Sequence, residues 1–261
     1  MTTSGDSVLH LLNDVLRMAM VDHAAAEQPR ECCGLLVLGG DTDVVHYMAC
    51  RNVWGQAGRS GHDRFLMHPE DWAAAEDFGR LLAVVHSHPN ASANPSMADR
   101  VGCEKSGVPW LVVGWPSGVI KELLPSGWQA PYKNREFSHG VLDCYTLIQD
   151  WYRRELAIEL PDYEREDGWW EKKADGTPAQ DLYMENFAQA GFVRVDGAPM
   201  RHDVILMQVK SDKANHGAIY QGDGILLHHL HGRPSCTDVY GGYWQRHTAA
   251  LLRHQSLLGG A

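Results

Sequence analysis

The sequence predicts an α+β protein of two domains, in which a mixed α/β sheet domain is followed by an α+β domain. Its 261 residues suit two cores of ordinary size better than one small core. Hydrophobic residues make up 44% of the chain and charged residues 21%, which is typical of globular proteins. Helical and strand-like patterns also occur on both sides of one stretch that is poor in aliphatic residues. We therefore predict domains at 1–125 and 138–261, joined by a linker at 126–137.

The first predicted domain begins with a helix. Between positions 8 and 26, apolar residues recur at helical spacing, which indicates an amphipathic helix that packs on a neighbouring surface. A second helix is predicted at 69–80, where Pro69 occupies the first turn. Apolar runs of strand length occur at 33–38, 44–48, 81–85 and 110–113. Together these elements predict a sheet that is flanked by helices.

The second predicted domain follows the linker, which reads SGWQAPYKNREF. Helical patterns come first, at 143–160 and 179–190. Strand-like runs come later, at 204–209, 217–220 and 225–230. Helices followed by strands favour an α+β arrangement rather than alternating βαβ units.

Charge and hydropathy limit the partners of the chain. A formal net charge of −10, without any run of Lys and Arg, argues against nucleic acid as a ligand. No stretch approaches the roughly 18 apolar residues that span a bilayer, so we predict no membrane insertion. The first 31 residues lack a basic start followed by an apolar stretch, and we expect synthesis in a cytoplasm without an export signal.

Six scattered cysteines favour reduced thiols, with adjacent Cys32 and Cys33 as buried small side chains.

A first candidate site follows the apolar run LLAVV. His86 and His88 are two residues apart on a predicted strand, so their imidazoles project to the same side and can share one ion. Asp99, thirteen residues after His86, could add a carboxylate. Two imidazoles and one carboxylate leave the fourth tetrahedral position of zinc open for water, as in catalytic sites. Glu31, just before the first strand, could take the proton of that water and deliver it to a leaving amine.

An isolated His-x-His pair is more often a pair of surface or core histidines, but the longer pattern is more specific. Glu31 with Cys33-Gly34 is followed by HSHP at 86–89 and PSMAD at 95–99. This pattern resembles the JAMM motif of the MPN-type metalloproteases, over roughly residues 5–125.

The resemblance implies one catalytic zinc ion, whose ligands are His86, His88 and Asp99. It also implies that Glu31 is the general acid and base, and that the Ser96 hydroxyl helps to stabilise the tetrahedral intermediate. Two other histidines, His62 and His68, lie nearby in the sequence. Nothing in the motif requires them, so we expect them to be surface or capping residues.

A second candidate site is centred on Cys144, at the start of a predicted helix. The helix dipole and free backbone N–H groups favour a thiolate there, so we expect a lowered thiol pKa. His216, which begins a later strand-like run, could be the general base that activates the thiol. Twelve residues further on, across a predicted hairpin turn at 222–224, His228 could orient that imidazole.

Each of these features also has an ordinary explanation. A cysteine at a helix start usually serves packing, and the neighbouring residues His228, His229 and His231 could form a metal-binding patch. Strand alternation allows only one of His228 and His229 to face Cys144, and we expect it to be His228.

The combined pattern of the second site resembles the NlpC/P60 family of papain-like cysteine peptidases, over roughly residues 130–250. The resemblance rests on Asp143-Cys144 at a helix start, NHGAIY at 215–220 and the later histidine. Tyr132, twelve residues before the cysteine, matches a family tyrosine that borders the nucleophile. One departure is Tyr145-Thr146, where the family has a small Ser-Gly, and this could narrow the cleft or alter the oxyanion surroundings.

NlpC/P60 enzymes characteristically cut peptide bonds in cell-wall stem peptides, commonly between D-glutamyl and diamino-acid residues. The domain order, with the segments HGVLDCYTL and ILLHHLHGR, resembles a family of tail-assembly proteins of lambda-like bacteriophages. The resemblance implies a tail-tip peptidase that cleaves peptidoglycan stem peptides while DNA crosses the wall. Phage tail-tip proteins are then its partners, in the host cytoplasm during assembly or at the virion tail tip. The alternative is an assembly factor or structural component whose sites process a tail protein or are inactive.

Overall fold

A computed structural model describes residues 6–40, 43–54 and 64–259. The chain divides into two compact units, residues 1–129 and residues 130–261. The predicted linker at 126–137 spans this division, and the domain limits at 125 and 138 remain predictions. The α+β fold class predicted from the sequence is confirmed, because both units combine helices with a sheet.

The described part of the first unit holds a five-stranded sheet in the order β2-β1-β3-β4-β5. Its strands are β1 (Cys33–Gly39), β2 (Val45–Cys50), β3 (Gly79–Pro89), β4 (Trp110–Trp115) and β5 (Val119–Leu123). Its helices are α1 (Asp14–Ala26), α2 (Pro69–Phe78) and α3 (Met97–Ser106), preceded by a 3₁₀ helix at Leu9–Leu11. Strands β3 and β4 pair in parallel, and the other neighbours are antiparallel.

Helices cover both faces of this sheet. Helix α1 buries Leu16, Met20 and Ala24 against one face, and α2 packs Ala75 against the other. Strand β3 is therefore buried over most of its length. This burial fixes the strand end that carries His86 and His88.

The described part of the second unit holds a six-stranded antiparallel sheet in the order β10-β9-β8-β7-β11-β6. Its strands are β6 (Phe192–Arg194), β7 (Val204–Met207), β8 (His216–Gly222), β9 (Ile225–His228), β10 (Cys236–Val239) and β11 (Thr248–His254). Its helices are α4 (Cys144–Leu156), α5 (Leu182–Asn186) and α6 (Gly242–Arg246). Helix α4 packs its apolar face, including Leu147, Ile148 and Trp151, on the sheet.

Some elements differ from the sequence predictions. Helix α1 begins at Asp14 rather than at position 8, because the Asn13 side chain accepts a hydrogen bond from the Leu16 N–H and caps it. Helix α4 ends at Leu156, before the predicted end at 160, because Ala157 adopts a left-handed conformation. In the described residues, six α-helices and β-strands were not predicted from the sequence, namely α3, β5, β6, β10, α6 and β11, and neither was the 3₁₀ helix Gln255–Leu257. Most of these are short, so their periodicity is weak.

The adjacent cysteines of the first unit lie in its interior. Cys32 and Cys33 are fully buried free thiols, which confirms the packing role predicted for them. Among the residues that the structure describes, no helix has the length and apolar character needed to cross a membrane.

Candidate active sites

The three predicted metal ligands come together at the end of β3 and the start of α3. His86 Nε2 lies 3.1 Å from one carboxylate oxygen of Asp99, and His88 Nε2 lies 3.2 Å from the other. The two imidazole Nε2 atoms are 3.2 Å apart. Alternation along the strand places both rings on one side, and the first turn of α3 brings the carboxylate to them.

This donor set fits a tetrahedral zinc ion. Ligand atoms about 2.0–2.1 Å from such an ion lie about 3.3 Å from one another, close to the distances in this cluster. The Nδ1 atom of His88 lies 3.0 Å from the carbonyl oxygen of Ser92. When that Nδ1–H donates to the carbonyl, the lone pair stays on Nε2, which faces the other ligands. His86, His88 and Asp99 are therefore able to hold a divalent ion.

The surroundings of the cluster hold the His86 ring in position, and the contacts among the three ligands shift the pKa values of Asp99 and His88. The buried His86 ring stacks on Phe65 at 5.1 Å between centroids and meets Trp110 edge-on at 5.3 Å. Burial alone would raise the pKa of Asp99, but hydrogen bonds from His86 and His88 outweigh it and hold that pKa well below its usual range. For His88, burial opposes the charged form, but bonding to Asp99 outweighs it and raises the pKa.

Ser96 and Glu31 lie beside this cluster in different settings. Ser96 caps α3: its hydroxyl accepts a hydrogen bond from the Asp99 N–H at 3.1 Å, and its own N–H donates to the Asp99 carboxylate at 2.7 Å. Glu31 is buried directly before β1, and its negative charge contributes to the raised pKa of His88. The Ser96 hydroxyl and the Glu31 carboxylate therefore belong to the surroundings of the ligand set.

The other two histidines of this region were expected on the surface or in caps. His68 caps α2, where its ring accepts a hydrogen bond from the Glu70 N–H. The capping role predicted for His68 is therefore confirmed. His62 lies outside the described residues.

Cys144 is the first residue of α4, as the sequence predicted. Asp143 caps the helix: its carboxylate accepts a hydrogen bond from the Thr146 N–H at 2.9 Å, and the Thr146 hydroxyl accepts one from the Asp143 N–H at 2.8 Å. Thr146, which departs from the small residue of the NlpC/P60 pattern, thus serves the cap. The Cys144 sulfur lies 3.1 Å from the Tyr183 hydroxyl and receives a backbone hydrogen bond from Gly217.

The predicted lowering of the thiol pKa is wrong. Burial and the adjacent Asp143 carboxylate raise the pKa of Cys144, and they outweigh the hydrogen bonds from Tyr183 and Gly217. The Asp143 charge persists because the Arg165 guanidinium pairs with it at 2.9 and 3.0 Å, and this pairing holds the pKa of Asp143 below its usual value against the effect of burial. The cysteine therefore rests as a neutral thiol at neutral pH.

The structure brings His228, rather than His229, to His216. The two rings meet through His216 Nε2 and His228 Nδ1 at 3.0 Å. Pairing of Ala218 with His228 between β8 and β9 places both histidines on the same face of the sheet. Burial and repulsion by His228 lower the pKa of His216 well below its usual value, so this ring is neutral at neutral pH. His229 contacts Phe137 instead, at 5.2 Å between ring centroids.

Cys144 and His216 line one cavity of about 380 Å³. Gly217, whose backbone bonds the cysteine sulfur, directly follows His216 on β8, the strand on which α4 packs. The cavity also has aromatic walls, contributed by Tyr145, Tyr163, Trp169, Trp170 and Tyr183. It is large enough for a short peptide segment.

Tyr132 does not border the nucleophile, in contrast to the prediction. Its hydroxyl donates to the Glu155 carboxylate at 3.0 Å, and its ring packs on Trp151 and below the Arg154 guanidinium. Glu155 lies eleven residues after Cys144 on α4, which is about 16 Å along a helix. The twelve-residue spacing in sequence therefore places Tyr132 at the far end of the helix, and Tyr183 contacts the cysteine instead.

Sequence reasoning missed two groups at this site, Tyr183 and Asp238. Tyr183 lies in a segment whose only recognised signal was a helical pattern, and its position 39 residues after Cys144 gives no indication of contact. The Asp238 carboxylate lies 3.1 Å from His228 Nε2. It comes from β10, a strand of four residues that the sequence analysis did not identify.

Comparison with known proteins assigns each unit to a domain family. Residues 14–124 match the family described as prokaryotic homologs of the JAB domain. Residues 129–253 match the NlpC/P60 family. The chain thus contains a JAB-type domain followed by an NlpC/P60 domain, which confirms the domain order predicted from the motifs.

Whole-chain relatives identify the family more closely. Tail tip assembly protein K of Escherichia phage N15 is 40% identical over 241 residues, which cover 92% of this chain and 95% of that protein. Its counterpart from Escherichia phage lambda is 41% identical over 192 residues, covering 73% of this chain and 90% of that protein. A solved NLP/P60-family structure from Staphylococcus aureus aligns with 47% of this chain and 37% of its own, at 20% identity and a TM-score of 0.32. The chain belongs to the tail tip assembly protein K family.

Proposed function

We propose that this chain is a phage tail-tip peptidase with two active sites. The cysteine site cleaves peptide bonds in peptidoglycan stem peptides, and the site in the first unit is a zinc peptidase. The observation that carries the proposal is the convergence of Cys144, Tyr183 and His216 in one cavity, with His228 behind the imidazole. That arrangement supplies a nucleophile, a base, an orienting group and a hydrogen-bond donor.

In the cysteine site, His216 acts as the general base. Its Nε2 bonds His228, so Nδ1 is the nitrogen that remains to accept the proton of the Cys144 thiol. The resulting thiolate attacks the carbonyl carbon of the substrate, and the developing oxyanion receives hydrogen bonds from the Tyr183 hydroxyl and the N–H groups at the start of α4. Burial and the nearby cysteine raise the pKa of Tyr183 well above its usual value, so its hydroxyl stays protonated.

Collapse of the tetrahedral intermediate completes the first half of the reaction. The C–N bond breaks, His216 gives its proton to the leaving amine, and a thioester with Cys144 remains. Water then attacks the thioester while His216 takes one of its protons. The acid product leaves, and the proton returns to the sulfur.

In the first unit, His86, His88 and Asp99 would hold the zinc ion. When bound, zinc would polarise the substrate carbonyl and lower the pKa of a water molecule. Glu31 would accept the proton of the attacking water and deliver it to the leaving amine. The Ser96 hydroxyl, which is fixed at the helix cap, would donate a hydrogen bond to the developing oxyanion.

The proposed substrate and partners follow from the families and from the cavity. The NlpC/P60 match supports a cell-wall peptide, and the cavity lining combines aromatic rings with charged groups such as Arg165, Glu171 and Lys210. A peptide with both apolar and charged side chains suits such a lining. The names of the N15 and lambda relatives support tail-tip proteins as partners. We place the chain in the host cytoplasm during assembly and at the tail tip of the virion.

A second candidate function is that of an assembly factor whose sites process a tail protein or are inactive. The observation that favours it is the extent of similarity, 40% identity over 92% of the chain, to a protein named for tail tip assembly. In this case a tail-tip protein, rather than the cell wall, would be the substrate.

Mass spectrometry of defined muropeptides distinguishes these functions. The purified chain is incubated with stem peptides beside Cys144→Ala, Asp99→Ala and the exposed control Asp77→Ala. Cleavage that is lost with Cys144→Ala and kept with both aspartate variants would assign the wall activity to the cysteine site. Absence of cleavage in every sample would oppose the first proposal. A tail-protein fragment that disappears from assembling particles with Asp99→Ala would then favour the second.

A further inference from the structure

The second nitrogen of His228 faces a charged pair. Its Nε2 lies 3.1 Å from the Asp238 carboxylate oxygen and 3.1 Å from a terminal nitrogen of Arg233, and these two groups are themselves 3.0 Å apart. The Cys236 sulfur lies 3.7 Å from the same Nε2. His228 is fully buried, so the neighbours on its two sides determine where its proton lies.

The hydrogen bond between His216 and His228 contains one proton, which either ring can carry. If His228 Nε2–H donates to Asp238, then His228 Nδ1 is an acceptor and His216 Nε2–H is the donor. The Nδ1 of His216 then has a lone pair for the cysteine proton. If Arg233 instead donates a hydrogen bond to His228 Nε2, both rings adopt the opposite tautomer. His216 Nδ1 then carries a hydrogen and cannot act as a base.

We infer that Asp238 is a positioning residue that selects the productive tautomers of His228 and His216, and so keeps His216 Nδ1 able to accept the Cys144 proton. The inference deepens the proposed function, because it rests on thiol chemistry at Cys144. Arg233 holds the Asp238 carboxylate in place by donating to the same oxygen that accepts from His228. After proton transfer, the negative charge of the carboxylate also stabilises the positive charge on the paired imidazoles.

The same atoms could be read as a cation site. The ligand atoms of His228, Cys236 and Asp238 lie within 4.8 Å of one another. However, the Arg233 guanidinium already contacts two of the three and supplies the positive charge between them. Tautomer selection therefore accounts for this cluster without a bound metal.

Removal of the carboxylate should reverse both tautomers. In Asp238→Ala, Arg233 becomes the remaining donor to His228 Nε2, so this nitrogen loses its hydrogen and Nδ1 gains one. In Asp238→Asn, an amide oxygen can still accept from His228, so the tautomers should be kept. Combining Asp238→Ala with Arg233→Leu removes the opposing donor and should restore part of the wild-type state.

Two measurements that need no substrate test the inference. ¹⁵N NMR of the histidine rings in the full chain reports which nitrogen of His216 and His228 carries hydrogen. The rate at which iodoacetamide alkylates Cys144, followed by mass spectrometry of its peptide, reports access to the thiolate. For Asp238→Ala we expect reversed ring signals and an alkylation rate about tenfold or more below wild type at neutral pH. The exposed control Asp212→Ala should match wild type.

The outcomes separate this inference from the proposed function. If Asp238→Ala leaves the ring signals and the alkylation rate unchanged while wild-type Cys144 is reactive, Asp238 does not select the tautomer. If Arg233→Leu alone reverses the rings, Arg233 holds that role and the inference is overturned. If His216→Ala leaves the alkylation rate of Cys144 unchanged, the imidazole does not serve the thiol and the proposed cysteine chemistry itself fails.

Discussion

Tyr183→Phe tests how a hydrogen bond from Tyr183 affects the pKa of the Cys144 thiol. The Tyr183 hydroxyl lies 3.1 Å from the Cys144 sulfur, and this hydrogen bond lowers the thiol pKa against the larger effects of burial and the Asp143 charge. Phenylalanine keeps the ring in the cavity wall and removes only the hydroxyl. We therefore expect the pKa of Cys144 to rise further in the variant, and less thiolate to be present at neutral pH.

The magnitude follows from the energy of one hydrogen bond to a charged group, about 1.5–3 kcal/mol. One pKa unit corresponds to about 1.36 kcal/mol, so the thiol pKa should rise by about 1–2 units. Both partners are partly exposed, and water can replace part of the bond. The lower end is therefore expected, with alkylation of Cys144 by iodoacetamide about tenfold slower at a fixed pH below the pKa.

The assay measures the alkylation rate of the Cys144 peptide by mass spectrometry across a range of pH. Tyr163→Phe is a matched control, because Tyr163 also lines the cavity and its hydroxyl has no hydrogen-bond partner among the described residues. Thermal unfolding of both variants checks that the fold is kept. Equal rates for Tyr183→Phe, Tyr163→Phe and wild type at every pH would refute the reasoning.

Two other substitutions test the charges of the two sites. Arg165→Leu should lower the free energy of unfolding by about 3–5 kcal/mol in urea denaturation, because the buried Asp143 carboxylate loses its partner. Since the folded-state pKa of Asp143 is lowered, the wild-type chain should lose stability as the pH falls below about 4, and Arg165→Leu should lose less there. An unchanged unfolding midpoint at neutral pH would contradict this. His88→Ala should abolish zinc binding in the first unit, measured by equilibrium dialysis, because it removes one of the three ligands. The exposed control His10→Ala should bind zinc as the wild type does. Retained binding in His88→Ala would exclude the ligand assignment.

The protonation states of Cys144 and His216 at rest determine how the thiol can be activated. Burial raises the pKa of Cys144 and lowers that of His216, so both groups are neutral at neutral pH. A lowered thiol pKa would favour an ion pair between a Cys144 thiolate and a His216 imidazolium. The two neutral groups make such a pair unfavourable in the resting site. In the proposed mechanism, proton transfer to His216 therefore accompanies attack on the substrate, and the position of the hydrogen on His216 controls the reactivity of the thiol.

Local sequence patterns were sufficient to place several candidate groups in their elements. A strand followed by His-x-His predicts two rings on one side, and β3 has this arrangement. The helical pattern from position 143 predicts a helix with Cys144 at its start, and Cys144 begins α4. These features depend on residues within a few positions of one another, where backbone geometry is regular and spacing determines direction.

Other predictions failed where the result depended on burial or on the path of the chain. The helix start at Cys144 predicted a lowered thiol pKa, but burial and Asp143 reverse the shift. The spacing of Tyr132 predicted a neighbour of the cysteine, but the chain carries it to the far end of α4. Dipole direction and residue spacing are local quantities, whereas desolvation and chain path depend on the entire unit.

Patterns in the sequence were enough to predict the α+β class, the order of the two domains and the residue types available for metal and thiol chemistry. The distant groups that complete the sites could be identified only from the folded chain. Tyr183 reaches Cys144 across 39 residues, and Asp238 reaches His228 only because β10 pairs with β9. The physical reason is that such contacts follow from strand register and core packing, which cooperative burial of many side chains determines and no local pattern encodes.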